Sequence, residues 1–241
     1  MANKKIFISD PHLGDGSKSD DFHRDRHLIA LFDRYVDGNK IYLLGDIFEL
    51  WQARLDKIIW AHLDVFKYLE DWNITCIYGN HDFLPFSKLW PETYEDELIY
   101  AEHGHQHDVY NNVSMFNLKW PIGKYITLGV GWLERLWNKD VDEFLLKKYG
   151  EFKYTAAKLQ GAVKSGVNNW PAYYGVIDHK PHRIYICGHT HKPLLYKSAG
   201  DIYANCGAWV DSVLPTYLLV DGNTVQLRNG LDYSIINEEK L

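Results

Sequence analysis

Cysteine is scarce in this sequence. Cys76, Cys187 and Cys206 are the only three in 241 residues, an odd number with no C-x-x-C pair. That excludes a disulfide-stapled scaffold and a cysteine-built zinc site, and suits free, buried thiols in a reducing compartment. Long hydrophobic runs are lacking too: no stretch approaches the roughly 20 apolar residues of a membrane-spanning helix. The opening MANKKIFISD has two lysines but only a short apolar run before Asp10, which does not read as a signal peptide. A cytoplasmic location is the expectation. Basic charge is not in excess either, since 26 Lys and Arg stand against 32 Asp and Glu, a formal net charge of −6. That argues against a stable nucleic-acid partner, while a local basic patch leaves peripheral membrane contact open. Internal repeats and low-complexity tracts are absent.

What is present describes a globular chain. Hydrophobic residues make up 46% and charged residues 24%, and the length allows a core that needs no covalent staple. Nine Trp and 17 Tyr point to a large core, a binding surface or both. The spacing predicts a buried strand over residues 5–9 and then a helix with Leu28, Leu31, Phe32, Tyr35 and Val36 on one face, closed by Gly38-Asn39. A strand over 41–45 follows, then one longer helix carrying Leu55, Ile58, Ile59, His62, Phe66 and Leu69 on one face, then a strand over 74–79. Further strands are expected near 98–102 and 183–188, and a late hairpin turns at Asp221-Gly222-Asn223. Strand–helix alternation of this kind is a layered α/β pattern. The whole chain reads as one domain, 1–241, interrupted at about 110–180 by a Trp-, Tyr- and Lys-rich helical insertion that forms a cap. Within it Asp140 is an expected N-cap and Gly150 an expected stop.

Polar residues fall in an informative place. Asp10 and His12, Asp46, Asn80 with His81 and Asp82, His103, and His189 with His191 each follow an expected strand. The carboxyl ends of strands form the binding crevice of open α/β sheets. Carboxylate, imidazole and amide oxygen together suit ions of intermediate hardness such as Mn²⁺, Fe²⁺ or Zn²⁺. There is too much histidine for a Mg²⁺ or Ca²⁺ cage. The candidates outnumber the ligands of one ion, which fits two ions sharing a carboxylate.

The motifs D-x-H (Asp10, His12), G-D-x-x-E (Gly45–Glu49), G-N-H-D (Gly79–Asp82), H-G (His103, Gly104) and G-H-x-H (Gly188–His191) occur in order. Together they resemble the pattern of the calcineurin-like metallophosphoesterases, from about residue 4 to 209 and sparing the insertion. The resemblance implies a four-layer α/β fold of two facing mixed β-sheets flanked by helices. It implies that Asp10, His12 and His191 bind one metal, that Asn80, His103 and His189 bind a second, and that Asp46 bridges them. Mn²⁺ is the first expectation, with Fe²⁺ or Zn²⁺ as alternatives. Two such ions generate hydroxide from water at neutral pH, and the activity implied is hydrolysis of a phosphodiester or pyrophosphate by that hydroxide. His81, directly after a ligand, is expected to face the substrate as general acid or as a hydrogen-bond donor in the transition state. Asp82 is expected to orient the His81 ring.

Other residues stay in the balance. His23, His27, His62, His179 and His182 read as packing or surface, and His105 and His107 as ligand support, substrate contact or exposed loop. Glu49 either bonds the ligand cluster or caps its turn. Asn205-Cys206-Gly207-Ala208-Trp209 resembles the family's N-x-G-S loop, with Ala in place of Ser, and is expected to be structural. The cap aromatics are expected to pack against the body, with a lined substrate groove as the alternative. The run GDIFELW at 45–51 and the helical insertion resemble the bacterial UDP-2,3-diacylglucosamine hydrolases, which implies a nucleotide-sugar or lipid-linked substrate. His81 departs from that branch, in which an Arg commonly follows the Asn. A phosphodiesterase or nuclease acting on nucleotides or nucleic acid is the second reading, and a noncatalytic binding module on the same fold the third.

Overall fold

The computed structural model describes residues 4–71, 73–105, 182–198 and 200–241. The expected cap and the residues His107, Asp140, Gly150 and His179 lie outside the described residues.

The elements run β1 (Lys5–Ile8), α1 (Asp25–Tyr35), β2 (Lys40–Leu44), α2 (Leu55–Ala61), α3 (Leu63–Leu69), β3 (Ile74–Ile77), α4 (Phe83–Phe86), β4 (Thr93–Glu95) and β5 (Ile99–Glu102). Beyond residue 181 come β6 (Ile184–Cys187), β7 (Leu194–Ser198), β8 (Asp201–Asn205), β9 (Thr216–Asp221), β10 (Thr224–Asn229) and β11 (Ile235–Lys240). They form two mixed sheets, one ordered β11-β10-β9-β1-β2-β3 and the other β4-β5-β6-β8-β7. In the first, β1, β2 and β3 are parallel; in the second, β5, β6 and β8 are parallel.

Period-two alternation of apolar residues on both faces builds the layers. Ile6, Ile8, Ile41 and Leu43 point into a core shared with Leu28, Leu31 and Phe32 of α1, Ile58 of α2 and Val65 of α3. Phe7, Tyr42 and Leu44 point the other way, into a second core with Ile99, Ala101, Ile184, Ile186, Ile202 and Ala204. The two sheets therefore face each other, with a described helical layer over the first. On the outer face of the second sheet, Tyr100, Tyr185 and Tyr203 sit in register across neighbouring strands. The Tyr185 and Tyr203 rings stack at 5.1 Å. Part of the tyrosine excess is thus a cross-strand ladder, an arrangement that stabilises a sheet.

Two expectations meet the structure differently. The hairpin forms as read, with β9 and β10 joined across Gly222 (φ 56°) and Asn223. The single helix over 55–69 is instead two helices meeting at His62 (φ −123°, ψ 35°). Backbone bonds His62 N–H to Ile58 O and Phe66 N–H to His62 O run through the junction, so the path bends at one residue. The buried His62 side chain is drawn to Asp25 at 2.8 Å and to Asp20 at 3.6 Å, a tertiary constraint invisible to periodicity. Among the described residues no helix is long and apolar enough to cross a membrane.

Candidate metal centre

Because three strands of each sheet run parallel, the turns after β1, β2, β3, β5 and β6 are brought to one rim of the sandwich. The turns are tied to each other before any side chain is considered. Asp10 N–H donates to Gly45 O at 3.2 Å, His12 N–H to Asp46 O at 2.9 Å and Gly188 N–H to His103 O at 2.9 Å. The backbone is held in an unusual conformation there. Asp10, His12, Asp46, His189 and His191 all have positive φ, between 49° and 67°. Asp and His tolerate this region better than most residues, yet such a concentration is characteristic of sites whose geometry is imposed by their surroundings.

These turns aim carboxylate and imidazole groups at one space. Asp10, His12 and His191 form one set whose polar atoms lie within 4.8 Å of one another, and Asp46, His103 and His189 form another. In the first set the His12 and His191 Nε2 atoms are 3.2 Å apart, and His191 Nε2 is 3.2 Å from Asp10 Oδ1. In the second, His103 Nε2 is 3.2 Å from Asp46 Oδ2 and 3.3 Å from Asn80 Oδ1. Asp46 Oδ2 also lies 3.8 Å from His12 Nε2, so this one oxygen reaches both sets. Asp10 Oδ2 accepts the His189 N–H at 2.9 Å and Asp46 Oδ1 accepts the His81 N–H at 2.8 Å. That leaves Asp10 Oδ1 and Asp46 Oδ2 turned inward.

This donor set fits divalent cations. His103 Nδ1 must donate to the Leu44 carbonyl at 2.7 Å, which leaves the Nε2 lone pair of the neutral ring for a cation. Asp10 Oδ1 is buried facing the ring nitrogens of His191 at 3.2 Å, His12 at 3.8 Å and His103 at 4.0 Å, and a buried carboxylate oxygen so placed suits a shared cation. Donors about 2.0–2.2 Å from one ion at right angles sit about 3 Å apart, close to the spacings seen.

Electrostatics say the same. Burial opposes ionisation of Asp10, but His103 and His191 outweigh it and hold the carboxyl well below the usual carboxylate range. Asp46 is lowered in the same way, chiefly by His103 and His81. Burial likewise opposes charge on His103 and His81, yet Asp46 and Asp10 raise the first to about 9, and Glu49 and Asp46 raise the second to about 9. The pocket holds anionic charge that demands cations, and without metal the imidazoles supply them.

His81 lies at the inner edge, its Nε2 4.0 Å from Asp46 Oδ2. The expectation that Asp82 orients this ring is corrected by the structure. Both Asp82 oxygens accept backbone donors, Gly79 N–H and Ile47 N–H, each at 2.6 Å. Burial and then Asp46 push the Asp82 carboxyl up to about 7. The carboxylate beside the His81 ring is Glu49, whose Oε2 lies 2.7 Å from His81 Nδ1 and accepts from His12 Nδ1 at 2.8 Å. The G-D-x-x-E spacing had marked Glu49 without deciding its partner.

His105 is fully buried, its ring 5.3 Å from that of His103, so the exposed-loop reading of it fails. Asn205 is structural: its amide donates to Gly188 O at 2.7 Å and its carbonyl accepts from Gly207 N–H at 2.9 Å. Residue-by-residue reading missed Trp51. Its indole N–H donates to Asn80 O at 3.1 Å, and its ring stacks on His81 at 3.8 Å. The only local signal was a Trp close behind G-D-x-x-E.

The two facing mixed sheets are the calcineurin-like metallophosphoesterase fold. The phosphoesterase YfcE from E. coli shares it, with a TM-score of 0.50, 13% identity, and 98% of each chain covered. More particularly, the chain is 38% identical over 84 residues to a UDP-2,3-diacylglucosamine hydrolase of Blochmanniella pennsylvanica, covering 33% of this chain and 32% of that protein. It is 35% identical over 92 residues to the protein of that name from Photobacterium profundum, covering 36% of each. The chain thus matches about a third of the length of these curated relatives. No family model matches.

Proposed function

We propose that this protein is a binuclear metal-dependent phosphoesterase that hydrolyses a phosphodiester or pyrophosphate bond. The observation that carries the reading is the pair of carboxylate–imidazole sets with one Asp46 oxygen within reach of both. Asp10, His12 and His191 would hold one ion, Asn80, His103 and His189 the other, and Asp46 both. Mn²⁺ is the first candidate on donor chemistry, then Fe²⁺ or Zn²⁺. When bound, such ions supply Lewis acidity toward a phosphoryl group and toward water.

The chain's own residues do the rest. Asp10 and Asp46 fix the positions of charge, since each has one oxygen locked by a backbone N–H. Glu49 sits at His81 Nδ1 and so turns Nε2 toward the site. From there His81 delivers a proton to the leaving oxygen. Asp82 supports the turns after β2 and β3. Similarity to UDP-2,3-diacylglucosamine hydrolases over a third of the chain favours a nucleotide-sugar or lipid-linked substrate.

The test is hydrolysis of a generic phosphodiester, the matching monoester and a nucleoside-diphosphate sugar by metal-stripped protein resupplied with Mn²⁺, Fe²⁺, Zn²⁺ or Mg²⁺. Metal-dependent turnover abolished by Asp46→Ala is expected, with diester or pyrophosphate preferred over monoester. Two bound ions and no turnover on any substrate class would overturn the reading in favour of a binding module.

A further inference from the structure

Trp51 touches both halves of the Asn80–His81 pair. Its indole N–H donates to the Asn80 carbonyl at 3.1 Å, and the same ring lies nearly parallel to the His81 imidazole, 3.8 Å between centroids and 12° between planes. Asn80 aims its side chain at His103 Nε2, and the His81 backbone N–H is bonded to Asp46 Oδ1. The backbone and one ring face of the pair are therefore held by residues outside it. Glu49 contacts only the Nδ1 end of the His81 ring. The His12 ring meets it edge-on at 4.6 Å, and Trp51 covers one of its faces, the contact that sets the plane of the ring. Trp51 lies in the turn after β2, two residues past Glu49, and the Phe48 and Leu50 side chains flanking Glu49 pack into the core. The indole is thereby anchored independently of the ring it meets.

We infer that Trp51 is a positioning residue that fixes the orientation of His81, so that His81 Nε2 meets the leaving oxygen. This rests on the reading of His81 as the group that protonates that oxygen. A proton matters most when the leaving group is a poor one, and least when it is an acidic nitrophenol that departs unassisted. Loss of orientation should therefore be selective, whereas loss of the site's general architecture should slow all substrates alike.

The experiment compares Trp51→Ala, Trp51→Phe and His81→Ala on a nitrophenyl phosphodiester and on an alkyl phosphodiester, with metal content measured in each variant. His81→Ala should slow the alkyl ester about a hundredfold or more and the nitrophenyl ester far less. Trp51→Ala should show the same selectivity, with kcat on the alkyl ester down by about 10- to 100-fold, KM within about twofold and two ions still bound. Trp51→Phe keeps a ring without the N–H donor and should recover most of the loss. The readout independent of activity is NMR of the Zn²⁺-loaded protein. The His81 ring protons, identified by their loss in His81→Gln, should lie upfield in the wild type and move downfield in Trp51→Ala. Equal slowing of both esters by Trp51→Ala, or His81 resonances that do not move, would overturn the inference. If Trp51→Ala does not fold, Trp51→Phe and the wild-type shift of His81 carry the same decision. Absence of leaving-group selectivity in His81→Ala would overturn the acid role itself, and the ring-proton shift would still decide the stacking.

Discussion

At the residue scale the candidate centre depends on side chains that are absent as much as on those present. A Cβ on Gly79 would sit 2.1 Å from Asp46 Oδ1, and one on Gly188 would sit 1.8 Å from Ser9 Oγ. Only hydrogen fits where the turns cross. Gly79→Ala should displace Asp46 and weaken metal affinity by about 10- to 100-fold, as read by titration of the metal-free protein with Zn²⁺. Asp82 makes a second case. With its two carboxylate bonds to Gly79 and Ile47 removed, Asp82→Ala leaves buried N–H groups unsatisfied, at a cost of about 1–3 kcal/mol for each. Urea unfolding should record that loss, and Asp82→Asn, which keeps one acceptor, should lose less. The candidate residues were legible along the chain because each motif ends a strand, and the structure brings their polar atoms together. The partners of Glu49, Asp82 and Trp51 were not, because they depend on which turn lies beside which.

At the scale of elements, the α2–α3 junction joins packing to charge. His62 is 4% exposed, between Asp25 and Asp20. Burial opposes its charge, but the neighbouring carboxylates of Asp20 and Asp25 outweigh that and raise it to about 9 from 6.5. The folded state therefore holds a proton that the unfolded chain releases above its ordinary pKa. The stabilisation is complete below about pH 6.5 and is lost as pH rises through about 9. Thermal unfolding of the wild type and His62→Gln should show the larger gap near pH 6 and a smaller one near pH 9.5. A gap that does not shrink would remove the ion-pair account. The helical stretch was readable from its apolar spacing, since Ile58, His62, Phe66 and Leu69 stay on one face. Its bend was not, because its cause lies in the loop and helix at residues 20–25.

For the molecule as a whole, the two sheets place six parallel strands so that their turns share one rim, and the turns carry mutually repelling carboxylates. Binding of cations should then stabilise the fold. Free metal at about 100 times its Kd adds about 2.7 kcal/mol, a rise in Tm of roughly 5–10 °C for a domain of this size. Scanning calorimetry with Mn²⁺ and with chelator should show that difference, and Asp46→Asn should reduce it. An unchanged Tm would mean that the rim holds no resident ion.

The sequence by itself determined the alternation of strand and helix, the strand-end placement of Asp10, Asp46, Asn80, His103 and His189, and the chemistry those residues favour. These are local properties: periodicity follows from backbone geometry, and ligand preference from the donor atoms. Only the tertiary structure decided that the outer tyrosines form a ladder, that one Asp46 oxygen lies within reach of two sets of imidazoles, and that Glu49 and Trp51 lie against the His81 ring while Asp82 bonds the neighbouring turns. Those outcomes depend on distances between segments far apart in the chain, which are set by strand order and by the burial of both faces of each sheet.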